Sequence, residues 1–159
     1  MAHEIERKFL VISDKWRDDV SSSDYFRQGY LANNANCSIR VRVSDHKGYL
    51  NLKSATLDIQ RTEYEYEIPR HEAEEMLDRF CEDPLIEKNR YYVPHDQHLW
   101  EIDVFAGANT GLIVAEIELD DIEEPFTKPA WVGQEVSDDP RYYNVCLAKH
   151  PFNEWDKSR

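Results

Sequence analysis

Apolar and charged residues alternate one by one through much of this chain. In Glu4-Ile5-Glu6-Arg7-Lys8 the residues Glu4, Glu6 and Lys8 occupy alternate positions, directly before apolar Phe9-Leu10-Val11. Successive side chains of a strand point to opposite faces, so these three share one face of a predicted strand and Arg7 lies on the other. Ser38 to Val43 alternates Ile39, Val41 and Val43 with Arg40 and Arg42, and Tyr49 to Lys53 has the same pattern with one lysine. Thr62 to Ile68 sets Glu63, Glu65 and Glu67 against Tyr64, Tyr66 and Ile68. Lys88 and Arg90 precede Tyr91-Tyr92-Val93, Trp100 to Val104 carries Glu101 and Asp103, and Ala115 to Leu119 carries Glu116 and Glu118. This is the period of strands, and it predicts an antiparallel β protein.

For any one strand, a solvated polar face explains such alternation. Taken together the strands ask for more. Each polar face is charged and, after the first strand, of one sign: Arg-Arg, Lys-Arg, Glu-Glu-Glu, Glu-Asp, Glu-Glu. Like charges on one face repel, so they make sense if the faces converge on a ligand with charges of its own. An eight-stranded closed barrel with inward charged faces gives a wet tunnel, and its apolar outside needs helices to cover it. An outer-membrane barrel also has a polar lumen, but the interspersed helices, the outward Arg7 and the start of the chain argue against it.

Helical spacing of Ala73, Met76, Leu77 and Phe80 predicts an amphipathic helix over His71 to Cys81. Ser13-Asp14 caps a short turn through Trp16, and Asp138-Asp139-Pro140 opens a helix running from Arg141 to Lys149. Asn33 to Asn36 and Asp45 to Gly48 read as turns. The fold class expected is therefore α+β, one domain over residues 1–159.

Composition narrows the partners. The 159 residues carry 32 acidic and 19 basic side chains, net −13, which disfavours nucleic acid. No apolar run is long enough to span a membrane and no basic, apolar leader opens the chain, so the expected setting is cytoplasmic, as a monomer or homodimer. Cys37, Cys81 and Cys146 read as reduced thiols, in neither a disulfide framework nor a zinc pattern. His95, Asp96 and His98 have metal-like spacing but sit in a predicted surface turn. There is no Gly-rich phosphate loop.

These residues resemble the CYTH domain of the triphosphate tunnel metalloenzyme superfamily. The opening Glu4-x-Glu6-x-Lys8 is similar to its signature, and the resemblance continues in order through Gln28-Gly29-Tyr30-Leu31, Arg40-x-Arg42, Lys53, Glu63-x-Glu65-x-Glu67, Lys88 and Arg90, Glu116-x-Glu118, Glu135-Val136 and Asp139 to Asn144. It implies an eight-stranded antiparallel tunnel with charged walls, the architecture already reached from the alternation. The short bacterial inorganic triphosphatases are the members most similar to it.

The charges suit that chemistry. Lys8, Arg40, Arg42, Lys53, Lys88 and Arg90 give six inward cations, apt for the oxygens of a triphosphate. Nine inward carboxylates, Glu4, Glu6, Glu63, Glu65, Glu67, Glu101, Asp103, Glu116 and Glu118, would repel one another unless a hard divalent cation intervened. By the resemblance, Glu4, Glu6, Glu116 and Glu118 are metal ligands for Mg2+ or Mn2+, the six cations are substrate contacts, and Glu63, Glu65 and Asp103 hold a second metal or orient the attacking water. The expected reaction is metal-dependent hydrolysis of tripolyphosphate to pyrophosphate and phosphate. The same tunnel also serves nucleoside or thiamine triphosphatases and class IV adenylyl cyclases, for which the chain is short and lacks an evident nucleobase box. A non-catalytic polyphosphate-binding module would need the bases more than the paired carboxylates.

Overall fold

The computed structural model describes residues 3–155. Nine antiparallel strands are present among them: β1 (His3–Val11), β2 (Ser22–Asn33), β3 (Cys37–Val43), β4 (Gly48–Ser54), β5 (Gln60–Ile68), β6 (Ile86–His95), β7 (His98–Phe105), β8 (Ile113–Leu119) and β9 (Val132–Glu135). Eight of them form a ring in the order β5-β4-β3-β2-β6-β7-β8-β1, which closes where β1 meets β5. The expected eight-stranded ring is thus present. The ninth strand, which the alternation does not reveal, lies outside it.

Among the described residues the closing seam pairs His3 to Ile5 with Gln60 to Thr62, extended by the Glu6 N–H donating to Ile59 O at 2.9 Å. Farther along the same edge, Phe9 to Val11 pair instead with β9. Outside the ring, Arg7 reaches Glu135 of β9 through two hydrogen bonds of 2.9 and 2.6 Å, as its outward parity requires.

Apolar residues on the outer faces are covered in patches. Phe9, Trp100, Ile102, Ala115 and Ile117 pack with Trp16 and Trp131. Trp16 belongs to a 3-10 turn (Lys15–Asp19), the turn expected after Ser13-Asp14 although the Asp14 side chain makes no capping hydrogen bond, and packs at a tilt on Tyr91 with ring centroids 5.3 Å apart. Helix α1 (Arg70–Phe80) lays Ala73 and Leu77 on Val41 and Val43. Gly48 permits this: a Cβ there would come within 2.7 Å of the Ala73 Cβ. Phe80 is the exception to the expected helix face, at 69% exposed.

The C-terminal helix is shorter than expected. Asp139 caps a 3-10 turn (Pro140–Tyr142) by accepting from the Arg141 N–H at 3.1 Å. The chain then straightens at Tyr143, whose hydroxyl donates to Ser137 O at 2.8 Å, and α2 begins only at Asn144, ending at Lys149. That buried tyrosine splits the predicted helix in two.

One end of the ring is filled. Ile86, Phe105 and Val114 share their strand faces with Lys88, Asp103 and Glu116, so they point inward, yet they are apolar and pack with Leu112 and Leu147 of α2. This cluster is the floor of the bore. Among the described residues no helix is long and apolar enough to cross a membrane.

Candidate functional site

Above that floor lies a cavity of about 280 Å³, and its walls are charged. β1 contributes Glu4, Glu6 and Lys8; β3, Arg40 and Arg42; β4, Lys53; β5, Glu63 and Glu65; β6, Arg90; β7, Glu101; β8, Glu116 and Glu118. Alternation puts them there: with apolar partners packed outside, every second residue must face the bore. The register brings them together in space. Glu6 opposes Glu118, Lys8 opposes Glu116, and Glu116 opposes Glu101 on the next strand.

The inward cations fall into two groups. Four have close carboxylates. Lys8 Nζ lies 2.8 Å from Glu116 and 3.1 Å from Glu6; Lys53 lies 3.3 Å from Glu4 and 3.4 Å from Glu63. Arg90 reaches Glu101 at 2.6 Å and Asp103 at 2.7 Å, and Lys88 reaches Asp103 at 2.8 Å. Arg40 and Arg42 are different. Among the described residues Arg40 has one carboxylate near it, Glu63 at 4.0 Å, and also contacts the Tyr30 hydroxyl; Arg42 donates from Nε to the neutral Gln28 at 2.8 Å and lies over the Phe26 ring. With burial, Arg40 and Arg90 all disfavouring its charge, Arg42 is pushed down to about 9.

The acids divide too. Burial opposes the charge of Glu6, but Lys8 and Lys53 outweigh it and hold the carboxyl below its usual range. For Glu116, burial and Glu6 are outweighed by Lys8 and Arg90, again lowering the pKa. Glu118 goes the other way: burial and the carboxylates of Glu6, Glu4 and Glu63 raise it. Burial lifts Glu101 to about 7 despite Arg90 beside it. Charge repulsion is thus left over on one side of the bore, around Glu4, Glu6, Glu63 and Glu118, and uncompensated guanidinium on the other.

Lys88 and Asp103 keep the inward parity, but both are 0% exposed and do not line the cavity. Lys88 Nζ donates to Asp103 at 2.8 Å and to Asn144 Oδ1 at 3.2 Å. Asp103 Oδ1 accepts from Arg90 and Oδ2 from both Arg90 and Lys88, and the carboxylate has no exposed surface toward the cavity. Glu67 points out at the rim, where it meets Lys47 at 3.5 Å. His98 pairs with Glu124 at 2.5 Å, outside the bore.

The strand pattern missed several lining residues: Tyr30, Ser38, Arg61, Tyr143 and Asn144. Arg61 was within reach of parity, since it lies two residues before Glu63 on β5. Asn51 was too, two before Lys53; it donates to Glu65 at 2.7 Å. Tyr143 and Asn144 come from beyond the strands, and only the folding back of the C-terminal segment puts them at the floor.

A closed β-ring with an acidic wall facing free arginines defines a tunnel protein suited to a small polyanion and a cation together. The chain belongs to the CYTH domain family, whose model matches residues 2–143, and whose triphosphate tunnel members are metal dependent. It is 46% identical to an inorganic triphosphatase of Acetivibrio thermocellus over 155 residues, covering 98% of this chain and 99% of that one. A Nitrosomonas europaea inorganic triphosphatase is 38% identical over 150 residues, covering 91% and 96%. The crystal structure of the inorganic triphosphatase NE1496 superposes with a TM-score of 0.66 at 36% identity, covering 91% of this chain and 97% of that one.

Proposed function

We propose that this chain is a metal-dependent inorganic triphosphatase, cytoplasmic in location, which hydrolyses tripolyphosphate to pyrophosphate and phosphate. The observation that carries the reading is the split of the bore into free guanidinium on one side and mutually repelling carboxylates on the other. The names of the relatives, which match end to end, support it.

In this reading Arg40 and Arg42 clamp phosphate oxygens, Lys53 and Arg90 add charge from either side of them on β4 and β6, and Lys8 adds charge from across the ring. Glu4, Glu6, Glu116 and Glu118 offer an all-oxygen donor set, which fits Mg2+ or Mn2+. Among the described residues no three acids, histidines or cysteines are already gathered for an ion, because Lys8 and Lys53 sit between the carboxylates. Phosphate oxygens that draw the lysines away would free those carboxylates, so substrate and cation would enter as a pair. A metal held there supplies charge neutralisation and a more acidic water.

Glu63 and Glu65 orient the attacking water, Glu65 being held by Asn51. Water oxygen bonds to a terminal phosphorus as the bridging P–O bond breaks and pyrophosphate leaves. No protein nucleophile is needed, since phosphoryl transfer rests on positioning and charge stabilisation. Asp103 acts as a positioning residue by fixing Arg90, and Lys88 fixes Asp103 in turn.

Phosphate release with Mg2+ or Mn2+ should be measured on tripolyphosphate, ATP and thiamine triphosphate. The expected result is a kcat/KM for tripolyphosphate well above the other two. A clear preference for ATP or thiamine triphosphate would overturn the substrate assignment, and no release from any would overturn the enzyme.

A further inference from the structure

Arg61 has no function in the scheme above, yet its setting is that of a ligand-binding residue. It is only 9% exposed and lines the cavity. Its Nη2 donates to the Ser54 carbonyl at 2.9 Å, while its Nε is buried without a partner. Its register neighbour across the β1–β5 seam is Glu4, on the same inward face. That pair would be the obvious buried ion pair, but Glu4 turns to Lys53 instead. Among the described residues Arg61 has no carboxylate in contact.

A second feature sharpens this. Lys8 Nζ lies 4.9 Å and the Arg61 guanidinium 5.6 Å from the centroid of one ring, that of Tyr143 at the floor. Two cations share that ring; Lys8 has Glu116 and Glu6 to answer its charge, and Arg61 has nothing comparable. Arg40, which also has a buried Nε without a partner, lines the same cavity.

We propose that Arg61 is a further substrate-binding residue of the tunnel, which contacts the phosphate group nearest the floor, above Tyr143. This rests on the triphosphatase reading. The bore would then offer three guanidinium groups without a carboxylate nearer than 4.0 Å, Arg40, Arg42 and Arg61, and Arg61 would set how deep the chain of phosphates penetrates.

The test is calorimetric binding of tripolyphosphate with Ca2+ as a non-productive cation, to the parent, Arg61→Gln, Arg61→Lys and Arg40→Gln, alongside the melting temperature of each unliganded protein. Arg61→Gln should weaken binding by roughly 10- to 100-fold, the range for one charge-assisted contact. Arg61→Lys, which keeps the charge but loses the planar fork, should lose less, and added guanidinium ion should restore part of the affinity of Arg61→Gln. In turnover, KM should rise more than kcat falls. Affinity equal to the parent's in Arg61→Gln, with Arg40→Gln weakened, would overturn the proposal and leave Arg61 as a brace for Ser54 and Tyr143. If Arg61→Gln does not fold, unchanged affinity in Arg61→Lys overturns it equally. No binding to the parent would overturn both this proposal and the triphosphatase reading, an outcome distinct from the others.

Discussion

Lys8 Nζ donates to Glu116 Oε1 at 2.8 Å across the β1–β8 seam, where the two residues oppose each other in register. Both are almost fully buried, at 4% and 3% exposed. Coulomb attraction from Glu116 and Glu6 raises the lysine pKa in spite of its burial. A buried pair of this kind adds little over an apolar isostere, but breaking it strands a charge.

Replacing Lys8 with Met should therefore cost about 3 kcal/mol or more in urea unfolding. The double variant Lys8→Met with Glu116→Gln should be more stable than the sum of the two single losses, since the Glu116 charge that the lysine loss would strand is gone, with Glu6 left as in the single variant. Strict additivity in this double-mutant cycle would mean that the two groups do not depend on each other.

Glu118 should behave in the opposite way. Burial and three neighbouring carboxylates raise its pKa, so its charge is unwelcome in the empty tunnel. Glu118→Gln should leave the unliganded protein as stable as the parent or slightly more so, with a melting point up by no more than about 2 °C, because the group is exposed enough for solvent to screen the repulsion. Turnover should fall by roughly tenfold or more, and the metal concentration needed should rise. Scanning calorimetry paired with a metal titration of activity would check both halves.

Glu101 gives a pH dependence. Its usual value of 4.5 is raised to about 7, chiefly by burial, so the folded protein holds that proton more tightly than the unfolded chain. The stability this contributes is present below pH 4.5 and lost as pH rises through about 7. Between those limits the parent should lose on the order of 2 kcal/mol relative to Glu101→Gln. Urea midpoints of the two proteins at three pH values across the window would measure it. Parallel curves would mean that Arg90 holds Glu101 ionised throughout.

How legible this was in the sequence depended on parity. Glu63-Tyr64-Glu65-Tyr66-Glu67 could be read directly, because a charged face and an aromatic face alternate without interruption. The rule that charge means inside then failed at both ends of the bore. At the floor, Ile86, Phe105 and Val114 are inward but apolar, because Leu147 of α2 covers them, and no local pattern announces a contact made by a distant helix. At the rim, Glu67 keeps the inward parity but leaves the ring and meets solvent. Lys88 and Asp103 obey parity, and what removes them from the cavity is their mutual pairing, which depends on the neighbouring strand. Arg61 was hidden by the one-sign habit of β5, where it is the basic residue on a face otherwise acidic. β9 has four residues and one glycine, too little for an alternation to register.

The acidic and basic faces line one cavity, where each ligand would neutralise what the other leaves repelling. Melting temperatures should be measured for the protein alone, with tripolyphosphate, with Ca2+, and with both. Ligands that bind only the folded state raise the melting point by mass action. The expected result is a shift with both together larger than the sum of the two separate shifts. Simple additivity, or no shift with tripolyphosphate, would contradict a shared site and leave the charged faces as independent solvated walls.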